Sequence, residues 1–178
     1  MAKVTAAPKL ERVLALLRYS EETGDLRWTG FGQQGRGTHK RSGRAGHVHA
    51  PTKAKNRPYV RVTIDGVRYM AHTLIWYMQT GEWLWCEIDH CDGNGLNNRW
   101  NNLRRCTPSL NNGNQHFRSD NTSGAKGVCY KGDAYRSRPW VAVCEGRHIG
   151  YLATVEEAGA AYDRAAKEAF GDFALTNS

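Results

Sequence analysis

Between Leu26 and Ile64 the chain has no aspartate or glutamate at all, although nine lysines and arginines fall in that stretch. Other absences set wider bounds. No run of about 18 apolar residues occurs, which excludes a membrane-spanning helix, and the opening MAKVTAAPKLERV lacks the apolar segment of a secretory signal. There is no C-x-x-C pair. The five cysteines, at 86, 91, 106, 129 and 144, are odd in number and scattered, which fits a reducing cytoplasm better than a disulfide framework. A zinc site can be drawn through Cys86, His90, Cys91 and Cys106, but its spacing matches no familiar zinc knuckle. Internal repeats and low-complexity tracts are also missing.

What is present is enough for small packed cores. Forty per cent of the 178 residues are hydrophobic and six are tryptophan, so composition does not dictate disorder. A formal charge of +8 favours a polyanionic partner. The acid-free stretch also carries His39, His47 and His49, and its basic residues sit among Gly, Ser and Thr. That composition suits an arm whose Lys40, Arg41 and Arg44 neutralise phosphates and release counterions.

Periodicity orders the rest. KLERVLALLRY places Leu10, Val13, Leu14 and Leu17 on one helical face. Gly24 marks a turn before a strand at Leu26 to Trp28. YVRVTIDGVRYM alternates as a hairpin about Asp65-Gly66, and HTLIWYMQTG reads as a helix ending at Gly81. Thr107 and Pro108 are an N-cap and a first helical residue, so a helix starts there and carries Asn111 on its first turn. LRRC before it reads as a strand. Residues 116 to 125 look like a linker. GVCYK and WVAVCEGRHIGYL read as three strands, and Thr154-x-x-Glu157 is a capping box opening a helix with Ala158, Ala161, Tyr162, Ala165 and Ala169 on one face.

The chemistry concentrates in residues 88 to 112, IDHCDGNGLNNRWNNLRRCTPSLNN, which hold seven asparagines. A calcium loop starting at Asp92 would need Gly at its sixth position and Glu at its twelfth, yet these are Asn97 and Leu103. A hydrolytic site with one hard metal ion needs a carboxylate, a neutral oxygen ligand and a base that titrates near neutrality. Asp89, Asn111 and His90 are of those types. Asp89 and His90 are adjacent at a strand end, so their side chains diverge. Asn94, Asn97, Asn98 and Asn101 suit loop geometry, and His72 reads as a packing or hydrogen-bonding residue.

The run Asp89-His90, Asn102-Leu103-Arg104 and Asn111 resembles the HNH nuclease family with its ββα-metal fold, in its phage and intron-homing branch. The resemblance spans about residues 58 to 115. It implies His90 as general base, Asp89 and Asn111 as metal ligands, and Asn102 as the brace that points His90. It also implies one divalent ion, Mg²⁺ or alternatively Mn²⁺, stabilising the leaving 3′-oxygen and the phosphate. Cys91 stands where an aliphatic residue is common, and Trp100 is bulky for its place.

Farther on, SGAKGVCYK, RSRPWVAV, IGYL and AYDRAA resemble the plant ethylene-response (Apetala-type) DNA-binding domain over residues 124 to 177. That likeness implies groove-facing Arg136, Arg138, Trp140 and Arg147, with Tyr130 and Lys131 as weaker candidates. KGVCYK lacks the arginines usual in that family's first strand.

The expected architecture is α+β: a basic N-terminal helix, strand and arm (1–57), an HNH core (58–116), a linker (117–123) and a three-stranded sheet plus helix (124–178). The expected function is site-specific, metal-dependent cleavage of double-stranded DNA by a monomer that nicks, a dimer being the other option. The resemblance places it in the cytoplasm of a bacterial host. The competing function is a non-enzymatic DNA-binding protein that retains an HNH scaffold.

Overall fold

The computed structural model describes residues 6–30, 42–50, 58–115, 121–132 and 137–177. The chain mixes α and β elements and divides into two compact units, Met1–Arg105 and Cys106–Ser178. Among the described residues no helix is long and apolar enough to cross a membrane.

The first unit opens with α1 (Leu10–Leu16), which runs directly into β1 (Leu17–Ser20). The helix stops short of the expected Tyr19 because Leu17 takes an extended backbone, φ −125° and ψ 148°. This changes the apolar face. Val13, Leu16 and Leu17 are buried, and Leu14 is exposed. β1 pairs antiparallel with β2 (Asp25–Thr29), which pairs with β3 (Ser42–Arg44). Gly24, at φ +75°, makes the β1–β2 turn.

A second sheet joins β4 (His47–His49), β5 (Tyr59–Ile64) and β6 (Val67–Met70). Val60, Val62 and Ile64 face inward as their alternation requires. Asp65 and Gly66 both have positive φ, 49° and 82°, the backbone of the two-residue turn that Asp-Gly favours. α2 (Ala71–Thr80) follows without a gap and ends on Gly81 in the left-handed conformation. β7 (Glu87–His90) and β8 (Leu103–Cys106) form a two-stranded sheet around the asparagine-rich loop, which contains one 3₁₀ turn, Trp100–Asn102.

One core serves this unit. Val13, Leu16, Leu17 and Leu26 cluster with Val60, Val62, Ile64, Leu74 and Ile75. Each fully buried aliphatic side chain there is worth roughly 1.5–3 kcal/mol. Trp100 joins this core, its ring 4.9 Å from that of Trp76, which accounts for its bulk in the loop.

The second unit contains α3 (Pro108–Gly113), β9 (Val128–Tyr130), β10 (Trp140–Cys144), β11 (Arg147–Leu152) and α4 (Val155–Phe170). The strand order is β11-β10-β9, all antiparallel. Thr107 Oγ1 caps α3 by accepting from the Leu110 N–H, and Thr154 Oγ1 caps α4 from the Glu157 N–H. The buried face of α4 is Ala158, Gly159, Ala161, Tyr162, Asp163, Ala166 and Phe170. Ala165 is only half-buried and Ala169 is exposed, so the face is rotated from the one the alanines alone suggest.

Candidate active site

Asp92 organises the asparagine-rich loop. Its Oδ1 accepts from the Asn94 N–H (2.8 Å) and from Asn102 Nδ2 (2.9 Å), and its Oδ2 accepts from Asn97 Nδ2 (2.7 Å). Burial raises the Asp92 pKa, but these bonds, led by the one from Asn97, outweigh it and hold the carboxyl below its ordinary range. Asn102 closes the loop. Its Oδ1 accepts from the Asp92 N–H (3.0 Å), its Nδ2 also donates to the Asn97 carbonyl (2.8 Å), and its own carbonyl accepts from the Cys91 N–H (2.9 Å). The chain just after His90 is therefore pinned from three directions.

His90 is 4% exposed. Its Nε2 lies 3.0 Å from Asn98 Oδ1, so the ring donates there and in its neutral form carries its lone pair on Nδ1. His72, on the first turn of α2, meets the His90 ring edge-on at 5.1 Å, and Tyr59 from β5 lies 5.9 Å from His72 and 6.1 Å from His90. Burial, and secondarily the nearby His90, push the His72 pKa down to about 3. His72 is therefore neutral at any pH near 7 and packs as an aromatic ring.

The N-terminal hairpin supports Asn98 from behind. Tyr19 Oη donates to the Asn98 carbonyl (3.0 Å), and Arg99 Nε donates to the Glu22 carbonyl (2.8 Å). A Cβ on Gly24 would stand 2.7 Å from the Arg99 nitrogen and 2.8 Å from the Asn98 carbonyl carbon. Only glycine permits both this approach and the positive φ. Asn98 thus contacts the imidazole directly, a role that loop propensity alone did not reveal.

Asp89 turns the other way, as adjacent strand residues must. Its Oδ2 accepts from both Nε and Nη2 of Arg104, each at 2.9 Å, with the carboxylate side chain 6% exposed. Arg104 is thereby the partner that offsets the cost of burying this charge. Asn111 lies half-buried on α3, in the second unit.

The remaining expected site residues are spread more widely. Lys40, Arg41 and Arg136 fall outside the described residues. Arg44, on β3, pairs with Asp25 at 2.7 Å and is itself exposed. Arg138 and Arg147 are exposed at either end of β10, before its first strand residue and at the start of β11. Trp140 is half-buried. It packs against the core under α4 and meets the exposed Tyr130 ring edge-on at 5.1 Å.

A family model described as HNH endonuclease matches residues 69–112. These residues form an HNH endonuclease domain. It begins in β6, takes in α2, β7, the Asp92-centred loop and β8, and ends within α3. Asp89, His90, Asn98, Asn102, Arg104 and Asn111 all lie inside it. The strands β9 to β11 and helix α4 lie beyond its end. No curated protein and no solved structure matches the chain.

HNH nucleases generally use a divalent metal ion. Among the described residues no three His, Cys, Asp or Glu side chains come together as a metal cluster. Of the two residues expected to bind a metal, Asp89 is a buried carboxylate in the first unit and Asn111 an amide in the second. Both are hard oxygen donors, and a small set of them suits Mg²⁺ or Mn²⁺, which keep several waters. The donor chemistry therefore fits such an ion.

Proposed function

We propose that the protein is a site-specific DNA endonuclease of homing type, with the HNH domain hydrolysing a phosphodiester bond and the flanking modules (1–57 and 124–178, the latter joined through 117–123) choosing where. The observation that carries the reading is His90: buried, fixed through Nε2 by Asn98, next to Asp89 and inside the matched domain.

His90 acts as general base. With Nε2–H held on Asn98, the neutral ring would accept through Nδ1 the proton of the attacking water as its oxygen bonds to phosphorus and the bond to the 3′-oxygen breaks. Asn102 keeps the backbone after His90 from drifting, and a misplacement of about 1 Å would cost on the order of a hundredfold in rate. Asp89 and Asn111 are the residues that would hold a divalent ion, Mg²⁺ or Mn²⁺, with Arg104 orienting the Asp89 carboxylate. When bound, the ion supplies positive charge to the phosphate and the departing 3′-oxygen. A single centre of this kind cuts one strand at a time, so a monomer nicks.

Phosphate contacts carry no sequence, so site choice falls to the other modules. The β9–β11 sheet with α4 is read as the Apetala-type module, with Arg136, Arg138 and Arg147 reaching the groove and Trp140, propped by Tyr130, shaping the sheet beside them. Lys40, Arg41 and Arg44 supply phosphate contacts from the basic stretch.

The test is incubation of the purified chain with supercoiled DNA of its presumptive host or phage, with and without Mg²⁺, with both strands' ends mapped. Metal-dependent conversion to nicked circles at a defined position supports the reading. Binding without cleavage in either Mg²⁺ or Mn²⁺ would favour a DNA-binding protein on an HNH scaffold. Arg138→Ala should relax the choice of position more than it slows cutting, and equal loss on every DNA would count against its role.

A further inference from the structure

We infer that the outer face of the β4–β5–β6 sheet binds the phosphate backbone of duplex DNA and leads it towards His90, with Arg61 and Arg68 as its main contacts. The choice of polymer rests on the reading of the chain as a DNA-cutting protein. Every residue of the face lies in the first unit.

Strand register decides which side chains share the face. Val60, Val62 and Ile64 point into the core, so Tyr59, Arg61 and Thr63 point the other way. Residues directly opposite on neighbouring antiparallel strands lie on the same side. His49 stands opposite Tyr59, His47 opposite Arg61, and Arg68 opposite Thr63. Two arginines and two histidines are thereby gathered on one face, and the three strands contain no Asp or Glu.

These basic groups are open to a partner. His47 and Arg68 are exposed, and His49 and Arg61 are half-buried. Among the described residues none of the four pairs with a carboxylate. Asp65, in the β5–β6 turn, is held by Nε and Nη2 of Arg12 at 3.0 and 2.9 Å. Arg44 on β3 differs in having Asp25. A guanidinium without a carboxylate is the group best suited to a phosphate.

The face runs into the nuclease centre. The Tyr59 ring lies 5.9 Å from that of His72 and 6.1 Å from that of His90. Arg61 is two residues farther along β5, about 7 Å away, and the row of Thr63 and Arg68 is about 14 Å away, the axial length of about four nucleotides of one strand. A strand lying along this face with one phosphate at His90 would bring later ones to Arg61 and Arg68. Such contacts set register on the duplex and carry no sequence.

Arg61→Gln and Arg68→Gln remove each charge and keep part of the stem. Arg12→Gln is the control, because it removes the same charge from the same unit at an arginine that already has a carboxylate. The full-length chains are titrated against duplex DNA in EDTA from about 50 to 200 mM salt, and thermal melting compares their folding. Each phosphate contact adds about 0.9 to the slope of log affinity against log salt. Arg61→Gln and Arg68→Gln should each lower the slope by about that amount, so the affinity lost across this salt range shrinks by about three- to fourfold in each. Arg12→Gln should keep the parental slope. Parental slopes in both sheet variants would overturn the inference, and so would an equal drop in Arg12→Gln, which would mark net charge rather than contact. If the sheet variants lose slope while the parent fails to nick in Mg²⁺ or Mn²⁺, the DNA-binding face stands and the nuclease reading fails. If the parent nicks and the slopes do not move, the nuclease reading stands and the face fails. A parent that binds duplex RNA and not duplex DNA would also overturn it.

Discussion

His72 makes the first unit sensitive to acid in a way that can be calculated. Its folded pKa is pushed down to about 3, first by burial and then by His90, from an ordinary value of 6.5. Between those values the unfolded chain binds a proton at this position and the folded chain does not. Stability from this group is therefore complete above pH 6.5 and is lost as pH falls through the window from 6.5 towards 3. Each pH unit inside it costs about 1.4 kcal/mol, so the loss at pH 4 is about 3 kcal/mol. Asp92, whose folded pKa is depressed below 3.8, loses its contribution only at lower pH and does not interfere. His72→Phe keeps a ring against Tyr59 and His90 and removes the titration. Urea unfolding followed by tryptophan fluorescence suits the measurement, because Trp28, Trp76, Trp83, Trp85 and Trp100 all lie in this unit. The variant should lose less stability than the parent between pH 7 and pH 4, by about 3 kcal/mol. Parallel pH profiles for the two proteins would refute the reasoning.

Two further substitutions test the surroundings of the site. Asn98→Ala, which releases the His90 ring, should reduce the cleavage rate by about ten- to a hundredfold while duplex binding in EDTA persists; an unchanged single-turnover rate would show that the contact has no part in catalysis. Arg104→Ala leaves the Asp89 carboxylate buried without its partner and should destabilise the fold by about 3 kcal/mol or more, and Asp89→Asn in the same chain should recover part of that loss; a double variant no more stable than Arg104→Ala, read by thermal melting, would count against the pair.

Local rules made much of the framework legible. The Asp65-Gly66 hairpin, the Gly81 stop, the Thr107-Pro108 start and the Thr154 cap each depend on residues within four positions of one another, and the structure has all of them. The α1–β1 junction was less legible, because LERVLALLRY continues a helical pattern past the point where Leu17 pairs with Trp28 on β2. The same boundary separates what could be read of the site. Asp89-His90 and Asn102-Leu103-Arg104 stand out by spacing. Asn98 did not, because an asparagine that shapes a loop and one that holds an imidazole have the same local propensity. What distinguishes Asn98 is Tyr19 and Gly24 pressing on its backbone from more than 70 residues away. Spacing marks Arg104 as part of a motif, but its pairing with Asp89 is set by the β7–β8 sheet.

The central claim is that His90 is the base of a nuclease centre. Its most direct test is the single-turnover nicking rate of His90→Ala against the parent on the same supercoiled DNA in Mg²⁺, with duplex binding measured in parallel. The account predicts that cleavage is abolished while binding is nearly intact. A His90→Ala protein that nicks at the parental rate would contradict it.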